Sequence, residues 1–398
     1  MIRIALRMLV GDPIKWMGVV LGVFFCTFLI AHLLSMFNAM LQRTYATISD
    51  IPQAQVWVMD PATEYVDETA GLPPTALDRV RSVRGVEWAV PLTLAGVRAR
   101  LPNGLFRPVT IVGVDDATLL GAPDSIRGGT PADLRISDAV IIDDASAATL
   151  LPMPLHAATR TPGWNMPDFD VPTRPLDVGD EVLLNDHRLR VVGIATLTPR
   201  FLSRATAYVT YTHALSIIPP QRNTLSYVLV KVQPGESPMA LAARIQERTG
   251  LRALDAATFS QVTRNYFVRV SGVVSRIGFM VGIGVVVGAC VSGLLLFLFT
   301  NENARYYATF KALGAESKTI VLMVVAQALL SGVVGYGLGV GASSLIGLTV
   351  KSPAMPYHLT AWTLGFTAVT VLFVTVASAA LSAMKVIRLT PARVFAGT

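Results

Sequence analysis

Two pairs of adjacent carboxylates and three histidines are the side chains in the long polar part of this chain whose types could support acid–base or hydrolytic chemistry. The pairs are Asp115-Asp116 and Asp143-Asp144, and the histidines are His156, His187 and His213. Each pair follows an apolar strand-like run and precedes a predicted helix, where Asp commonly acts as a cap. The histidines are scattered, and neither His-Glu-x-x-His nor Gly-x-Ser-x-Gly occurs. These residues therefore favour a structural role, with a membrane-bound hydrolase as the alternative.

Nucleotide chemistry is equally hard to place in this chain. The Gly-x-x-x-x-Gly-Lys-[Ser/Thr] spacing, which wraps backbone N–H groups around phosphates, is missing from the sequence. The run Gly335-Tyr336-Gly337-Leu338-Gly339 lies inside an apolar stretch with no strand before it, so it does not predict a dinucleotide site. We therefore expect no catalytic site, no metal and no cofactor in this chain.

Four long apolar stretches, one before and three after a polar block, must position everything else. They cover residues 16–40, 271–300, 320–350 and 361–386, and each is long enough to cross about 30 Å of hydrocarbon as a helix. A cleaved signal peptide is the alternative for the first stretch, but its apolar run is too long and no small-x-small site follows it. The fold class expected is a membrane protein with four transmembrane helices, one plus three, and a large α+β domain inserted between the first and second.

Basic residues beside these stretches set the orientation, because Lys and Arg flanks stay in the cytoplasm. They are Arg3, Arg7, Lys15, Arg305, Lys311, Lys318, Lys385, Arg388 and Arg393, whereas the third connection has only Lys351. Residues 41–270 carry 22 Lys and Arg against 23 Asp and Glu, so the net charge of +7 comes from the flanks. The basic balance thus reports topology, and no nucleic-acid partner is expected.

The resulting division puts both termini in the cytoplasm and the inserted domain outside it. The segments are a cytoplasmic start (1–15), the first span (16–40), the inserted domain facing the outside or the periplasm (41–270), the second span (271–300), a cytoplasmic loop (301–319), the third span (320–350), a turn on the same side as the domain (351–360), the fourth span (361–386) and a cytoplasmic tail (387–398).

Residues 41–270 show short alternating runs in place of continuous apolarity, which predicts an α+β domain of two lobes. Strands are predicted at 54–59, 93–101, 107–114, 188–197 and 225–232, and helices at 74–83, 145–151 and 237–249. Cys26 and Cys290, the two cysteines, fall within spans, so no disulfide supports this domain. Residues 152–175 are rich in proline and predict a long loop. That loop is either a surface excursion or, through Trp164 and Phe169, a contact for an adaptor protein.

The loop between the second and third spans carries the sharpest signal. Asn301 or Asn303 could cap a short helix there, Gly314 suits its C-terminal end, and Ser317 could cap the next span. Tyr306, Phe310 and Leu313 stand at i, i+4 and i+7, so they predict one apolar ridge with nothing of this chain to cover it. The ridge predicts a groove on another protein, and the alternative is packing on the N-terminal segment or the lipid surface.

Glycine-rich spans add a second expectation about contacts. The second span has Gly278, Gly282, Gly284, Gly288 and Gly293, and the third has Gly332, Gly335, Gly337, Gly339 and Gly341. Small residues let helices approach closely. They indicate either a dimer with a second copy, formed by the first two spans, or packing within one bundle. The second span is also expected to continue outward as a stalk through residues 265–274.

The segment Glu302–Ala315, with its Tyr-Ala-Thr-Phe-Lys-Ala-Leu-Gly-Ala core, resembles the coupling helix of MacB/FtsX-type ABC transporter permeases, most closely the DevC type. Further resemblances, in order along nearly the whole chain, are Val112-Gly113-Val114-Asp115, Val140-Ile141-Ile142-Asp143-Asp144-Ala145-Ser146, Val191-Val192-Gly193-Ile194 and Arg388-Leu389-Thr390-Pro391-Ala392. The insertion at 152–175 is longer than expected for the type.

The resemblance implies a dimeric permease of the bacterial inner membrane whose ATP and Mg are bound by a partner ABC ATPase. Its residues at the ATPase would be Glu302, Arg305, Tyr306, Phe310, Lys311, Leu313 and Gly314. DevC-like members join a periplasmic adaptor of the HlyD/MacA-like kind and an outer-membrane duct, with membrane lipid around the spans. The function expected is export by movement of the periplasmic domain. The alternatives are an FtsX-like regulator of a periplasmic hydrolase and a plain receptor or scaffold.

Overall fold

The computed structural model describes residues 2–68, 70–155, 172–202, 204–219, 224–350 and 356–387. Residues 41–270 form one compact unit, the inserted domain, and the described residues on either side form another, the membrane unit. The helices, in chain order, are α1 (Ile2–Gly11), α2 (Pro13–Thr44), α3 (Ala46–Ser49), α4 (Ala76–Arg81), α5 (Asp144–Thr149), α6 (Tyr211–Ile217), α7 (Pro238–Thr249), α8 (Ala256–Val270), α9 (Val273–Glu302), α10 (Ala304–Ala312), α11 (Ser317–Thr349) and α12 (Ala361–Ile387).

The strands all belong to the inserted domain. They are β1 (Val56–Met59), β2 (Val86–Arg100), β3 (Phe106–Val114), β4 (Ile126–Arg127), β5 (Ala139–Asp143), β6 (Met153–Pro154), β7 (Thr173–Arg174), β8 (Glu181–Leu184), β9 (His187–Ala195), β10 (Ala205–Thr210), β11 (Tyr227–Val232) and β12 (Arg252–Asp255). Ten of them form one sheet in the order β12-β1-β11-β2-β3-β10-β5-β9-β4, with β8 pairing β2 and β9, while β6 and β7 form a separate ribbon.

Strand β2 joins the two halves of that sheet. Its first part, Val86–Leu92, pairs with β11, and its second part, Thr93–Arg100, pairs with β3. Most of the sheet is antiparallel, but β10 runs parallel to β3 and β5 runs parallel to β9. The inserted domain, for which the sequence predicts two lobes, forms one compact unit in which β2 runs through both halves of the sheet.

The alternation of apolar residues along β1 sorts them between two cores. Val56 and Val58 pack with α4 and α7 side chains such as Val80 and Leu241, whereas Trp57 and Met59 face the other side of the sheet. A third core surrounds β5 and β9 under α5 and α6. Burial on both faces of the strand holds the inserted domain together by apolar area removed from water.

Four described helices of the membrane unit, α2, α9, α11 and α12, are long and apolar enough to cross a membrane. They begin and end near the expected spans, so the predicted arrangement of one plus three is present. The predicted stalk is wrong in one respect. Gly272, with φ of 63°, separates α8 from α9, because a left-handed residue ends the helical hydrogen-bond run there. Ser317 also differs from expectation, since Glu316 occupies the N-cap position of α11.

Candidate functional site

Helix α10 is the short helix predicted between the second and third spans, and its ends are defined by the residues that flank it. Asn303 occupies its N-cap position, but the Asn303 Nδ2 donates to the Phe299 carbonyl oxygen at 2.8 Å and caps nothing in α10. Gly314 follows the helix with φ of 95°, the left-handed conformation that glycine adopts without strain. The chain therefore leaves α9, makes two and a half turns and enters α11 within a few residues.

Tyr307 attaches α10 to its neighbouring helices α11 and α1. Its side chain is 1% exposed, and its hydroxyl donates to Gln327 Oε1 of α11 at 2.9 Å. The Gln327 Nε2 in turn donates to the Ala5 carbonyl oxygen of α1 at 2.9 Å. Burial raises the pKa of Tyr307 to about 12, so the hydroxyl stays protonated as a donor. One buried amide thus joins three helices.

An apolar cluster surrounds this hydrogen-bonded pair. It consists of Ala5, Tyr307, Ile320, Met323 and Val324, with Met8 and Phe310 packed against it. The sequence pattern alone did not predict the roles of Tyr307 and Gln327 in anchoring α10. The available signal was the lone amide of Gln327 within an apolar helix, since a polar side chain at such a position requires a partner.

The predicted ridge is divided by this arrangement. Tyr306 is 60% exposed and Leu313 is 79% exposed, so both project from α10 and its C-terminal end as expected. Phe310 is half-buried against the cluster of α1 and α11 side chains. The expectation that the chain covers none of the three is therefore wrong for Phe310, because α1 lies on that side of α10. The outward apolar surface consists of Tyr306 and Leu313.

Charged residues predicted at the rim of the ridge take separate positions. Glu302 forms an ion pair with Lys15 of α2, and Lys15 also lies 2.7 Å from Asp12. Arg305 is exposed, whereas Lys311 is partly buried. The Lys15–Glu302 pair joins the start of α2 to the end of α9, so Glu302 already has a partner within the chain. Arg305 is the rim cation that lies beside the exposed Tyr306.

The glycines of α9 and α11 separate into two groups. A Cβ on Gly288 would lie 2.3 Å from the Cys26 Cβ of α2, and one on Gly335 would lie 2.7 Å from the Val23 Cβ. These glycines permit close contact between helices of the same chain. In contrast, a Cβ on Gly278 or Gly282 would meet nothing within 4 Å among the described residues. The bundle therefore uses part of the glycine set and leaves another face of α9 open.

The carboxylates that could have supported hydrolysis are engaged in local structure. Asp143 caps α5 by accepting from the Ser146 N–H at 3.0 Å, as predicted, and its other oxygen accepts from the Thr206 N–H at 2.9 Å. Asp115 accepts from the N–H and hydroxyl of Thr118, at 2.8 and 2.7 Å, and so stabilises a turn instead of the expected helix.

Asp116 accepts from the Thr212 hydroxyl at 3.0 Å. The His213 Nε2 lies 3.6 Å from the Asp138 Oδ1. His156 and the predicted adaptor contacts Trp164 and Phe169 lie outside the described residues. Among the described residues, no three His, Cys, Asp or Glu side chains are grouped to hold a metal ion. Around α10, by contrast, the described residues present two exposed apolar side chains, Tyr306 and Leu313, and an exposed cation, Arg305.

Comparison with known families gives two matches in succession. The family model of the MacB-like periplasmic core domain matches residues 17–248, and that of the FtsX-like permease C-terminal region matches residues 278–391. No functionally curated protein matches the chain significantly.

Among solved structures, the chain is similar to the extracellular domain of the noncanonic ABC-type transporter YknZ from Gram-positive bacteria. That likeness has 15% identity and a TM-score of 0.32, and it covers 51% of this chain and 98% of the other. The periplasmic region of MacB from Actinobacillus actinomycetemcomitans has 14% identity and a TM-score of 0.36, with 55% and 96% covered. Both structural likenesses are weak, so the assignment rests on the family models. The first model alone covers more than half of the sequence, and the second covers most of α9 together with α10, α11 and α12. The chain therefore belongs to the MacB/FtsX-like family of ABC transporter permeases.

Proposed function

We propose that this chain is the permease subunit of an ABC-type export system of the DevC type, in which a separate ATPase drives movement of the inserted domain. Members of the family work with an ABC ATPase partner and often dimerise. The observation that carries the proposal is the division of α10 into a buried face anchored by Tyr307 and an exposed face formed by Tyr306 with Leu313.

An exposed ridge on an anchored helix is suited to transmit force. Large aromatic and aliphatic side chains on a rigid support make good anchors in a partner's cleft, because little conformational entropy is lost on binding. The anchoring hydrogen bonds run from α10 to α11 and α1, so a displacement of α10 would be passed directly to a membrane helix. ATP and Mg would be bound by the partner, and Arg305 would contact its acidic residues at the rim of the cleft.

The proposed orientation places α1, α10 and both termini in the cytoplasm of a bacterium, with the spans in its inner membrane. Arg3 and Arg7 of α1, Arg305 of α10 and Lys318 of α11 are all exposed. Contacts among Ala5, Tyr307 and Ile320 place these three helices at one end of the membrane unit. Basic residues concentrated at one end support a cytoplasmic location for it by the positive-inside rule.

The further partners proposed are a second copy of the chain, a HlyD/MacA-like periplasmic adaptor, an outer-membrane duct and the surrounding lipid. The open face of α9 at Gly278 and Gly282 supports the second copy, since small residues four apart allow close helix approach. The adaptor is proposed to bind near Trp164 and Phe169.

Coupling can be tested with the chain and its ATPase reconstituted in nanodiscs. Leu313→Glu and Tyr306→Ala should each remove permease-dependent stimulation of ATP hydrolysis. Truncating an interface anchor costs about 2–4 kcal/mol, and a buried glutamate adds a desolvation cost. Ile136→Glu is the matched control, because Ile136 is 56% exposed in the inserted domain. Unchanged stimulation in both α10 variants would rule out α10 as the contact.

The choice between export and regulation depends on the other partners. The tagged chain would be captured from its native host in detergent, and the proteins recovered with it would be identified by mass spectrometry. An ATPase together with an adaptor supports the exporter. A periplasmic hydrolase in place of the adaptor would replace export with FtsX-like regulation, and recovery of no ATPase would contradict the coupling proposal.

A further inference from the structure

Residues 198–202, which lie between β9 and β10, are called the bridging segment. They contact the first connection, which is the chain that leaves α2 and passes through α3 into the inserted domain. The Phe201 N–H donates to the Arg43 carbonyl oxygen, in the last turn of α2, at 3.2 Å. The Arg200 Nη1 donates to the hydroxyl of Thr47 in α3, the helix that follows α2 directly. Asp50, at the end of α3, also receives a hydrogen bond from Thr198. Three contacts, from Thr198, Arg200 and Phe201, thus attach the first connection to the bridging segment.

The bridging segment also contacts the second connection, which is α8, the helix that precedes α9. Phe267 of α8 is mostly buried, and its ring centroid lies 4.7 Å from that of Phe201. Tyr65 adds to this packing, since its ring centroid lies 5.4 Å from that of Phe267 and 4.5 Å from that of Tyr266, on which it stacks. The second connection is therefore held by aromatic packing, whereas the first is held by directional hydrogen bonds.

Arg200 is the centre of this arrangement. Its side chain is only 6% exposed, and its Nε donates to the hydroxyl of Thr206 in β10 at 3.1 Å. The charge is opposed by Asp67, whose carboxylate lies 3.9 Å away on the loop after β1, and by Asp50. The guanidinium therefore contacts α3, β10 and that loop simultaneously, a geometry that its planar fork permits and a lysine does not.

This charged cluster is not fully satisfied. The Arg200 Nη2 and the Asp50 Oδ2 are buried without a partner among the described residues. Burial raises the pKa of both Asp50 and Asp67, although Arg200 opposes the shift. A buried ion cluster of this kind adds little net stability, since desolvation of the charges offsets their attraction. What the cluster supplies is a fixed geometry between α3 and the sheet.

We propose that the bridging segment is the joint that fixes both connections of the inserted domain to its sheet, with Arg200 positioning α3 and Phe201 positioning α8. The proposal rests on the proposed function in one respect, since a domain moved as a lever needs such a joint. If both connections are fixed to one segment, they keep a constant separation, and movement of either one carries the sheet with it.

The test measures the separation of the two connections in the full chain in nanodiscs. Cysteines replacing Gln42 of α2 and Asn265 of α8, both exposed, would carry spin labels, with Cys26 and Cys290 replaced by alanine. Electron-spin distance measurements should give a single narrow distance in the otherwise unchanged chain. Arg200→Lys keeps the charge but loses the fork, and Phe201→Leu keeps apolar volume but loses the ring contact. Each should lose the narrow distance while the unfolding temperature remains close to that of the parent.

The matched control is Arg188→Lys, because Arg188 is 71% exposed on β9 and has no role in the joint. A narrow distance retained in either Arg200→Lys or Phe201→Leu would overturn the proposal, since both connections would then not depend on the segment. The distance is measured without ATPase or nucleotide. A failure of the joint is therefore distinguishable from a failure of coupling through Tyr306 and Leu313.

Discussion

The inserted domain and the membrane unit differ in the size of the residues that pack their interiors. In the domain, Trp57, Tyr227 and Phe259 pack with ring centroids 5.5 to 6.0 Å apart, and all three are fully buried. In the membrane unit, α9 and α11 meet α2 at Gly288 and Gly335, where no side chain intervenes. Water makes burial of large apolar groups favourable, whereas lipid removes that driving force and leaves close van der Waals contact.

One buried polar group from each region gives a second comparison. The domain buries the charged group of Arg200, Asp50 and Asp67, in which two polar atoms lack partners among the described residues. The membrane unit buries the neutral pair Tyr307 and Gln327, in which the hydroxyl and both ends of the amide are hydrogen-bonded. A neutral, satisfied pair suits a permanent attachment. The charged cluster instead depends on geometry and stays sensitive to substitution.

The largest effect expected is on the domain core. Trp57→Ala should lower the free energy of unfolding of the domain by about 3–5 kcal/mol, because it removes a large buried ring and leaves a cavity. Loss of far-ultraviolet circular dichroism during denaturant unfolding measures this change. Trp362→Ala is the matched control, since Trp362 is 61% exposed on α12. Equal stability of the two variants would remove the contrast between the regions.

The glycine contacts of the membrane unit give the next effect. Gly288→Ala should destabilise the helix bundle by about 1–3 kcal/mol, because the added methyl group would overlap Cys26 and force α9 away from α2. Gly282→Ala is the control within the same helix and should leave the bundle intact. Thermal unfolding of the reconstituted chain compares them. If Gly282→Ala weakens self-association, it assigns the open face of α9 to the second copy.

A smaller effect is expected at the neutral pair. Tyr307→Phe should cost about 1–2 kcal/mol, because Gln327 Oε1 would become a buried acceptor without a donor. Tyr306→Phe changes the same atoms on the exposed face and should cost nothing measurable in stability. Proteolysis of the α10 region can follow both variants. Equal rates would show that the hydrogen bond does not anchor the helix.

The smallest effect is a dependence on pH in the domain. Burial lowers the pKa of His213 below its ordinary value of 6.5, with Asp138 raising it and His187 lowering it further. A depressed histidine contributes stability above its unfolded pKa and loses it as the pH falls through the folded pKa. The unfolding temperature should therefore fall as the pH is lowered through and below the ordinary histidine pKa of 6.5, and His213→Gln should reduce that slope. If His213→Gln keeps the slope of the unchanged chain, His213 is excluded as its source.

The sequence predicted elements wherever one periodicity dominates. The four spans and strands β3, β9 and β11 follow from continuous or alternating apolarity. Strands β5 and β10 were not predicted from alternation, because they lie inside the sheet and are buried on both faces. The first part of β2 was also missed. Pro91 lies within it and donates no hydrogen bond, yet it faces Val228 in register.

The candidate site was only partly predictable for a related reason. Helical spacing identifies which residues share a face, so Tyr306 and Leu313 were expected at the exposed surface of α10. Spacing does not show which faces other parts of the chain cover. The position of α1 against α10 decides that Phe310 is half-buried, and the Tyr307 hydrogen bond depends on Gln327 twenty residues later. The Arg200 cluster likewise joins residues from four separate segments.

The order of strands in the sheet has a consequence for biosynthesis. Among the described strands, β1 is the first in the chain, and its two partners, β11 and β12, are the last. The sheet therefore cannot be completed until β11 and β12 have been synthesised, shortly before α9. Until then the apolar strand β1 has no partner strand. Such late pairing slows folding and leaves an unpaired, aggregation-prone strand exposed. In the orientation proposed above, the domain can complete its sheet only after β11 and β12 have also crossed the membrane.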